Sequence, residues 1–247
     1  MNTVIKESYE DMSKAAAAIV AQEIRRKPDM VLGLATGSTP LGMYRELIRL
    51  HNKEGLDFSQ VVTFNLDEYY GLSPADAQSY HYYMNENLFK HINVRPENIH
   101  IPDGEAKDAE EFCREYDGEI QRSGGIDLQI LGIGRNGHIG FNEPGDELVT
   151  ETHVTMLNEG TRQANARFFG SVDSVPKKAV TMGLGTIMRA KKIILMASGK
   201  EKAIIISRIV NDTSVTTKVP ASLLHLHSDA TVLIDKEAAL EVLAKNL

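Results

Sequence analysis

The chain has 247 residues, 42% hydrophobic and 25% charged, with a formal net charge of −7. That size suits one large α/β domain or two small ones, and the acidic balance argues against a nucleic-acid partner, which calls for a basic face. No apolar run approaches the roughly 18 residues of a membrane span, the acidic N-terminus lacks a signal core, and a lone cysteine, Cys113, excludes an internal disulfide framework; a cytoplasmic protein is expected.

Residues 8–26 read as the first helix. Ser8 with Asp11 makes a capping box, while Met12, Ala16, Ile19, Val20 and Ile24 recur at helical spacing. Residues 30–35 (MVLGLA), bounded by Pro28 and a turn, read as a short buried strand. TGSTP follows at 36–40, then a helical pattern of Leu41, Tyr44, Leu47 and Ile48, with Pro40 suited to the first helical turn. Residues 61–66 (VVTFNL) are a second buried strand, ending in Asp67, Glu68, Tyr69, Tyr70 and Gly71.

A helix is expected over 79–89 and a polar amphipathic one over 106–121, with Gly124 and Gly125 punctuating the approach to a central strand at Ile126. That strand runs into LGIGRNGHIGFNEPG at 131–145, where Gly132, Gly134, Gly137 and Gly140 surround Asn136 and His138 and lead to Glu143. Residues 146–176 read as a less regular span, a candidate lid or binding loop, with TRQANARFF inside it. Strands then fall at 179–184, 192–197 (KIILMA) and 230–235 (ATVLID), with helices from Gly185, over 201–210 and over 237–245. This alternation predicts one domain over 1–247: an open, mostly parallel, twisted sheet with helices on both faces, of Rossmann-like α/β class.

Open sheets of this kind place ligands at the carboxyl ends of their strands, and three such ends carry chemistry here. Thr36, Gly37, Ser38 and Thr39 sit between a strand and a helix N-terminus, where unpaired N–H groups and the helix dipole suit a phosphate. The alternative is ordinary capping by Ser38 or Thr39. The loop is neither a Walker A sequence nor a dinucleotide fingerprint. Asp67 and Glu68 are adjacent, so their side chains diverge and one faces the site; a carboxylate there can serve as a general base, or the pair is a solvated acidic turn. His138 and Glu143 offer an imidazole with a carboxylate that would fix its tautomer. Their loop lacks the spacing of a zinc site, so no metal is expected. Arg162, Arg167 and Lys202 are cations without the pairing of a surface helix.

LATGSTPLGMY, FNLDEYYGL, GIGRNGHIGFNEPG, TRQANARFF and the glycine–lysine stretch near Lys202 together resemble the glucosamine-6-phosphate deaminases, in the order of that family's blocks. The resemblance covers the chain from about residue 31 to 234. It implies conversion of glucosamine 6-phosphate and water to fructose 6-phosphate and ammonia, with no metal or organic cofactor. It makes Asp67 the base that moves a proton between C2 and C1, and His138, supported by Asn136 and Glu143, the group that opens the pyranose ring. Thr36, Gly37, Ser38, Thr39, Arg167 and Lys202 would hold the 6-phosphate.

Some family members carry Asp where this chain has Asn136. The chain also lacks the longer tail of allosteric hexameric members and has His153 where they place an effector-binding arginine. A monomer or small homo-oligomer without activation by N-acetylglucosamine 6-phosphate is therefore expected, with neither nucleic acid nor membrane as partner. Two other functions fit parts of the pattern: a 6-phosphogluconolactonase-like hydrolase, and a non-catalytic sugar-phosphate sensor.

Overall fold

The computed structural model describes residues 1–244. In chain order the elements are β1 (Asn2–Lys6), α1 (Tyr9–Arg26), β2 (Val31–Leu34), α2 (Leu41–Glu54), β3 (Val62–Asn65), β4 (Asp67–Tyr69) and α3 (Tyr80–Asn87). There follow β5 (Ile99–His100), α4 (Ala109–Arg122), β6 (Leu128–Leu131), β7 (His153–Met156), α5 (Glu159–Phe169), β8 (Lys178–Thr181) and α6 (Leu184–Met188). The last are β9 (Lys192–Ala197), α7 (Ala203–Asn211), β10 (Ala230–Asp235) and α8 (Leu240–Ala244). The expected closing helix over 237–245 starts later than its pattern suggested, and Lys245 lies outside the described residues.

Local chemistry sets the ends of these elements. Ser8 Oγ accepts from Asp11 N at 3.1 Å and donates to Asp11 Oδ2 at 2.8 Å, so α1 begins at the expected capping pair. Ser79 and Asp108 cap α3 and α4 in the same way, through Tyr82 N and Glu111 N. Gly55, at φ 67°, ends α2 in the left-handed conformation that glycine adopts without penalty.

Seven strands form one wholly parallel sheet in the order β1-β10-β9-β6-β2-β3-β5. The chain steps from β1 through β2 and β3 to β5 in one direction, then from β6 through β9 to β10 in the other. Right-handed crossovers therefore put the helices of the two halves on opposite faces, where α1 packs on α2 and α7 on α8. The reversal falls between β2 and β6, which are hydrogen-bonded neighbours with Gly33 opposite Gln129. Loops leaving their carboxyl ends part toward opposite faces and open a crevice between them.

The structure departs from the expected pattern in three places. β1 and β5 are edge strands without a marked apolar run, which is why the sequence pattern missed them. The strand expected at 179–184 is β8, and it belongs to a separate antiparallel sheet, β4-β8-β7. The span 146–176 is regular, holding β7 and α5; the half-buried strand lies against α4, and the short helix packs on a small cluster apart from the main core. That cluster comprises Tyr69, Phe141, Leu157, Val175 and Ala179, with Phe169 of α5 against it. Among the described residues no helix is long and apolar enough to cross a membrane.

Candidate active site

The loop after β2 is held from behind by tyrosines. Tyr44 Oη donates to the Ala35 carbonyl, Tyr83 Oη to that of Gly37 at 2.6 Å, and Tyr9 Oη to that of Ser38 at 3.1 Å. Tyr9 Oη also accepts from Gly42 N at 2.7 Å, in the first turn of α2. With the carbonyls turned back onto tyrosines and Gly37 at φ 93°, the loop takes a shape that a β-carbon would strain. No side chain caps α2, so the capping alternative for Ser38 and Thr39 does not hold. Their hydroxyls and the helix N-terminus remain available to an anion.

Two cations face this loop across the cleft. Arg167, on α5, lies with its guanidinium carbon 4.7 Å from the Phe168 ring centre. Lys202, at the end of the 3-10 turn that leads into α7, is held below its ordinary pKa by burial first, with the fields of Arg135 and Arg167 adding to it and Glu201 opposing. Among the described residues neither Arg167 nor Lys202 has an ion-pair partner, because Glu201 is taken by Arg135 at 2.5 Å. Cations crowded together without an anion mark a place where one binds. Arg162 points elsewhere, donating to the Val172 carbonyl at 2.7 Å.

Asp67 and Glu68 separate as their adjacency on β4 requires. Glu68, with no exposure, accepts from Tyr69 N and Tyr80 N through Oε1 and from His81 N through Oε2. Asp67 turns into the cleft and has no side-chain hydrogen bond among the described residues. Burial, followed by repulsion from Glu68, pushes its carboxyl up to about 8.

On the far side, the loop after β6 carries His138. Gly134 N donates to the His138 carbonyl and Gly137 N to that of Gly134, a tight turn with Gly137 at φ 90°. A β-carbon on Gly134 would sit 2.3–2.5 Å from three atoms of the His138 ring, so only glycine leaves room for the imidazole. Nδ1 of His138 is buried and lies 3.4 Å from Glu143 Oε2, close enough for charge attraction but not aligned for a full hydrogen bond. Glu143 also accepts from Asn136, Asn158 and Thr161. Burial acts to raise its pKa, but the contacts with His138, Thr161 and Asn136 outweigh that and hold it below the ordinary carboxylate value.

These groups share one cleft of about 780 Å³. Thr36, Gly37, Ser38, Thr39, Asp67, Asn136, His138, Arg167 and Lys202 line it, and Glu143 stands behind His138. Among the described residues no cluster of three or more His, Cys, Asp or Glu side chains is placed to hold a metal ion. The sequence reading missed the tyrosine braces and the contribution of Asn158 and Thr161 to Glu143. Asn158 carried a signal, since it is an N-cap residue just ahead of a helical stretch.

The family described as glucosamine-6-phosphate isomerases/6-phosphogluconolactonase matches residues 5–233. The chain belongs to this family. Within it, the chain is 60% identical to a glucosamine-6-phosphate deaminase of Thermoanaerobacter sp. (strain X514), over 97% of this chain and 94% of that protein. It is 58% identical to one of Halothermothrix orenii (strain H 168 / OCM 544 / DSM 9562), over 97% and 99%. Among solved structures, a monomeric glucosamine-6-phosphate deaminase matches with a TM-score of 0.95 at 54% identity, covering 98% of this chain and 100% of that one. A 6-phosphogluconolactonase from Trypanosoma brucei matches at 0.77 with 22% identity, a likeness of fold alone.

Proposed function

We propose that this chain is a glucosamine-6-phosphate deaminase of amino sugar breakdown, working in the cytoplasm as a monomer without a resident metal or organic cofactor. What carries the reading is one cleft that sets a bare buried carboxylate opposite an imidazole–carboxylate pair, in a chain 60% identical to a protein named for that reaction. The lactonase reading has no use for such a carbon base.

The loop 36–39, with Arg167 and Lys202, holds the 6-phosphate and thereby fixes the sugar's orientation, the largest entropic obstacle to the later steps. His138, oriented by Glu143, takes the proton of the anomeric hydroxyl and returns it to the ring oxygen, opening the pyranose to an aldehyde. Asp67 removes the C2 proton while an ammonium proton passes to O1, giving a C1–C2 enolamine, and then delivers the C2 proton to C1. The resulting C2 iminium adds water and expels ammonia, leaving fructose 6-phosphate. The β7–α5 span within 146–176 carries Arg167 and Asn158, and we assign it the closing movement over bound substrate, the whole chain acting as one domain.

Ammonia release from glucosamine 6-phosphate, with and without EDTA, tests this. EDTA-insensitive release matched by fructose 6-phosphate is the expected result. Silence with that substrate and hydrolysis of 6-phosphogluconolactone would overturn it in favour of the lactonase, and binding without turnover in favour of a sensor.

A further inference from the structure

Two neighbouring carboxylates on β4 have opposite surroundings. Glu68 is fully buried and receives Tyr69 N at 2.8 Å, Tyr80 N at 2.9 Å and His81 N at 3.0 Å, with His81 Nδ1 also 3.0 Å from Oε2. The three backbone N–H groups can only donate, so they call for the ionised carboxylate as acceptor. Two of them come from the first turn of α3, where the helix dipole also favours an anion. Asp67, one residue earlier and 7% exposed, has no donor at all among the described residues. Two neighbouring carboxylates do not ionise independently; the better solvated one takes the charge and its field holds the proton on the other.

We propose that Glu68 and His81 are positioning residues for the reaction: the pinned charge of Glu68, clamped by His81, adds to the burial of Asp67 and with it keeps that carboxyl protonated in the empty cleft until the amino sugar arrives. The proposal rests on the deaminase reading, in which Asp67 takes the C2 proton. A cationic amine beside Asp67 offsets the field of Glu68. If the sugar enters as the ammonium ion, Asp67 releases its proton to solvent. If it enters as the neutral amine, the proton passes from Asp67 to that amine. Both routes end with an Asp67 carboxylate facing an acidified C2–H, so the base is created by its own substrate.

The other titratable groups facing Asp67 are Tyr44 on α2, Tyr69 on β4, Tyr80 on α3 and Tyr116 on α4, with His138 across the cleft. Burial pushes all four phenols up, so they stay neutral through the neutral range. The opposite strand, β8, presents Thr181 and Val180. Glu68 is the charged group that acts on Asp67.

Carboxyl ¹³C NMR of aspartate-labelled protein, with the Asp67 resonance assigned by its loss in Asp67→Asn, tests the proposal. In the unsubstituted protein Asp67 is expected to titrate near 8. In Glu68→Gln the midpoint should fall by about one to two pH units, and in Glu68→Asp, which keeps the charge but breaks the hydrogen bonds, it should stay high. A cooperatively melting Glu68→Gln with an unmoved Asp67 midpoint overturns the proposal, as does an equal fall in both variants. Should Glu68→Gln not fold, glutamate-labelled protein decides: the Glu68 carbon, assigned by its loss in Glu68→Asp, must stay ionised while Asp67 titrates, and its protonation there overturns the idea. Proton exchange at C2 separates this outcome from the underlying reading. Exchange at the normal rate in Asp67→Asn would remove Asp67 from the chemistry whatever the titrations give.

Discussion

A carboxyl buried without hydrogen bonds works against folding as soon as it ionises. Asp67 binds its proton more tightly in the folded state, about 8 against 3.8 for the ordinary group. Its contribution to stability is therefore full below pH 3.8 and is lost as the pH rises toward about 8. Asp67→Asn, neutral throughout, should melt close to the unsubstituted protein at pH 4 and above it at pH 8, by a few kcal/mol. Thermal melts at both values check this; a gap independent of pH would mean that Asp67 is not the strained group. The same substitution should abolish C2 proton exchange, a case of stability traded for activity. Gly134→Ala belongs at this scale too. Its β-carbon falls within 2.5 Å of the His138 ring, so the imidazole must swing away, and kcat should drop on the order of 100-fold. An open-chain substrate analogue should recover part of that loss, because the role proposed for His138 is ring opening. The sequence displayed these residues plainly: one face for one carboxylate, and a histidine among glycines. It could not display which neighbour shields Asp67 or that Asn158 and Thr161 reach Glu143, since both depend on contacts between distant segments.

At the scale of elements, the loop 36–39 takes its shape from helices that precede and follow it. Tyr9 reaches it from α1 and Tyr83 from α3, each spending its hydroxyl on a loop carbonyl, and Tyr9 also satisfies Gly42 N at the start of α2. Tyr9→Phe removes both Tyr9 bonds without leaving a large void. It should raise KM about 3- to 10-fold, the worth of roughly one net hydrogen bond, with kcat within about twofold. Inorganic phosphate, tested as a competitive inhibitor, should weaken in parallel; an unchanged inhibition constant alongside a raised KM would place the effect elsewhere. No motif marks these tyrosines, because a brace 29 or 46 residues away has no local signature. Helices with clear caps and strands with continuous apolar runs were legible to within a few residues, as β9 and β10 illustrate. β7 and α5 were not, since both are short and only partly buried, β7 against α4 and α5 on a five-residue cluster. Apolar periodicity reports burial against a core, and these elements have little of one.

For the whole molecule, the proposed function depends on docking a small antiparallel sheet, which carries Asp67, and α5, which carries Arg167, onto a parallel sheet whose strand ends lead into the loop 36–39, His138 and Lys202. The reversal of strand order between β2 and β6 provides the crevice, but only the docking closes one side of it. Part of the joint is Asp117 on α4. Its buried carboxylate accepts from Thr152 N and Thr152 Oγ1 at 2.7 Å each, just ahead of β7, and from Thr186 Oγ1 of α6 at 2.9 Å. Met182 N to the Leu66 carbonyl and Phe141 N to Thr181 Oγ1 complete the seam. Asp117→Ala leaves three donors in a dry site, with a cost of about 3 kcal/mol. The cost should not be spread evenly. Amides of β7 and α5 should exchange with deuterium much faster, while those of β2 and β6 keep their protection, because the damage lies at the joint and not in the parallel core. KM should rise with it, since Arg167 loses its fixed place opposite the loop 36–39, whereas the titration of Asp67 should move little, β4 being held by α3 through the Tyr80 and His81 N–H groups on Glu68. Uniform loss of protection across both sheets would instead mean that the two fold as one cooperative unit and that the cleft has no independently yielding wall.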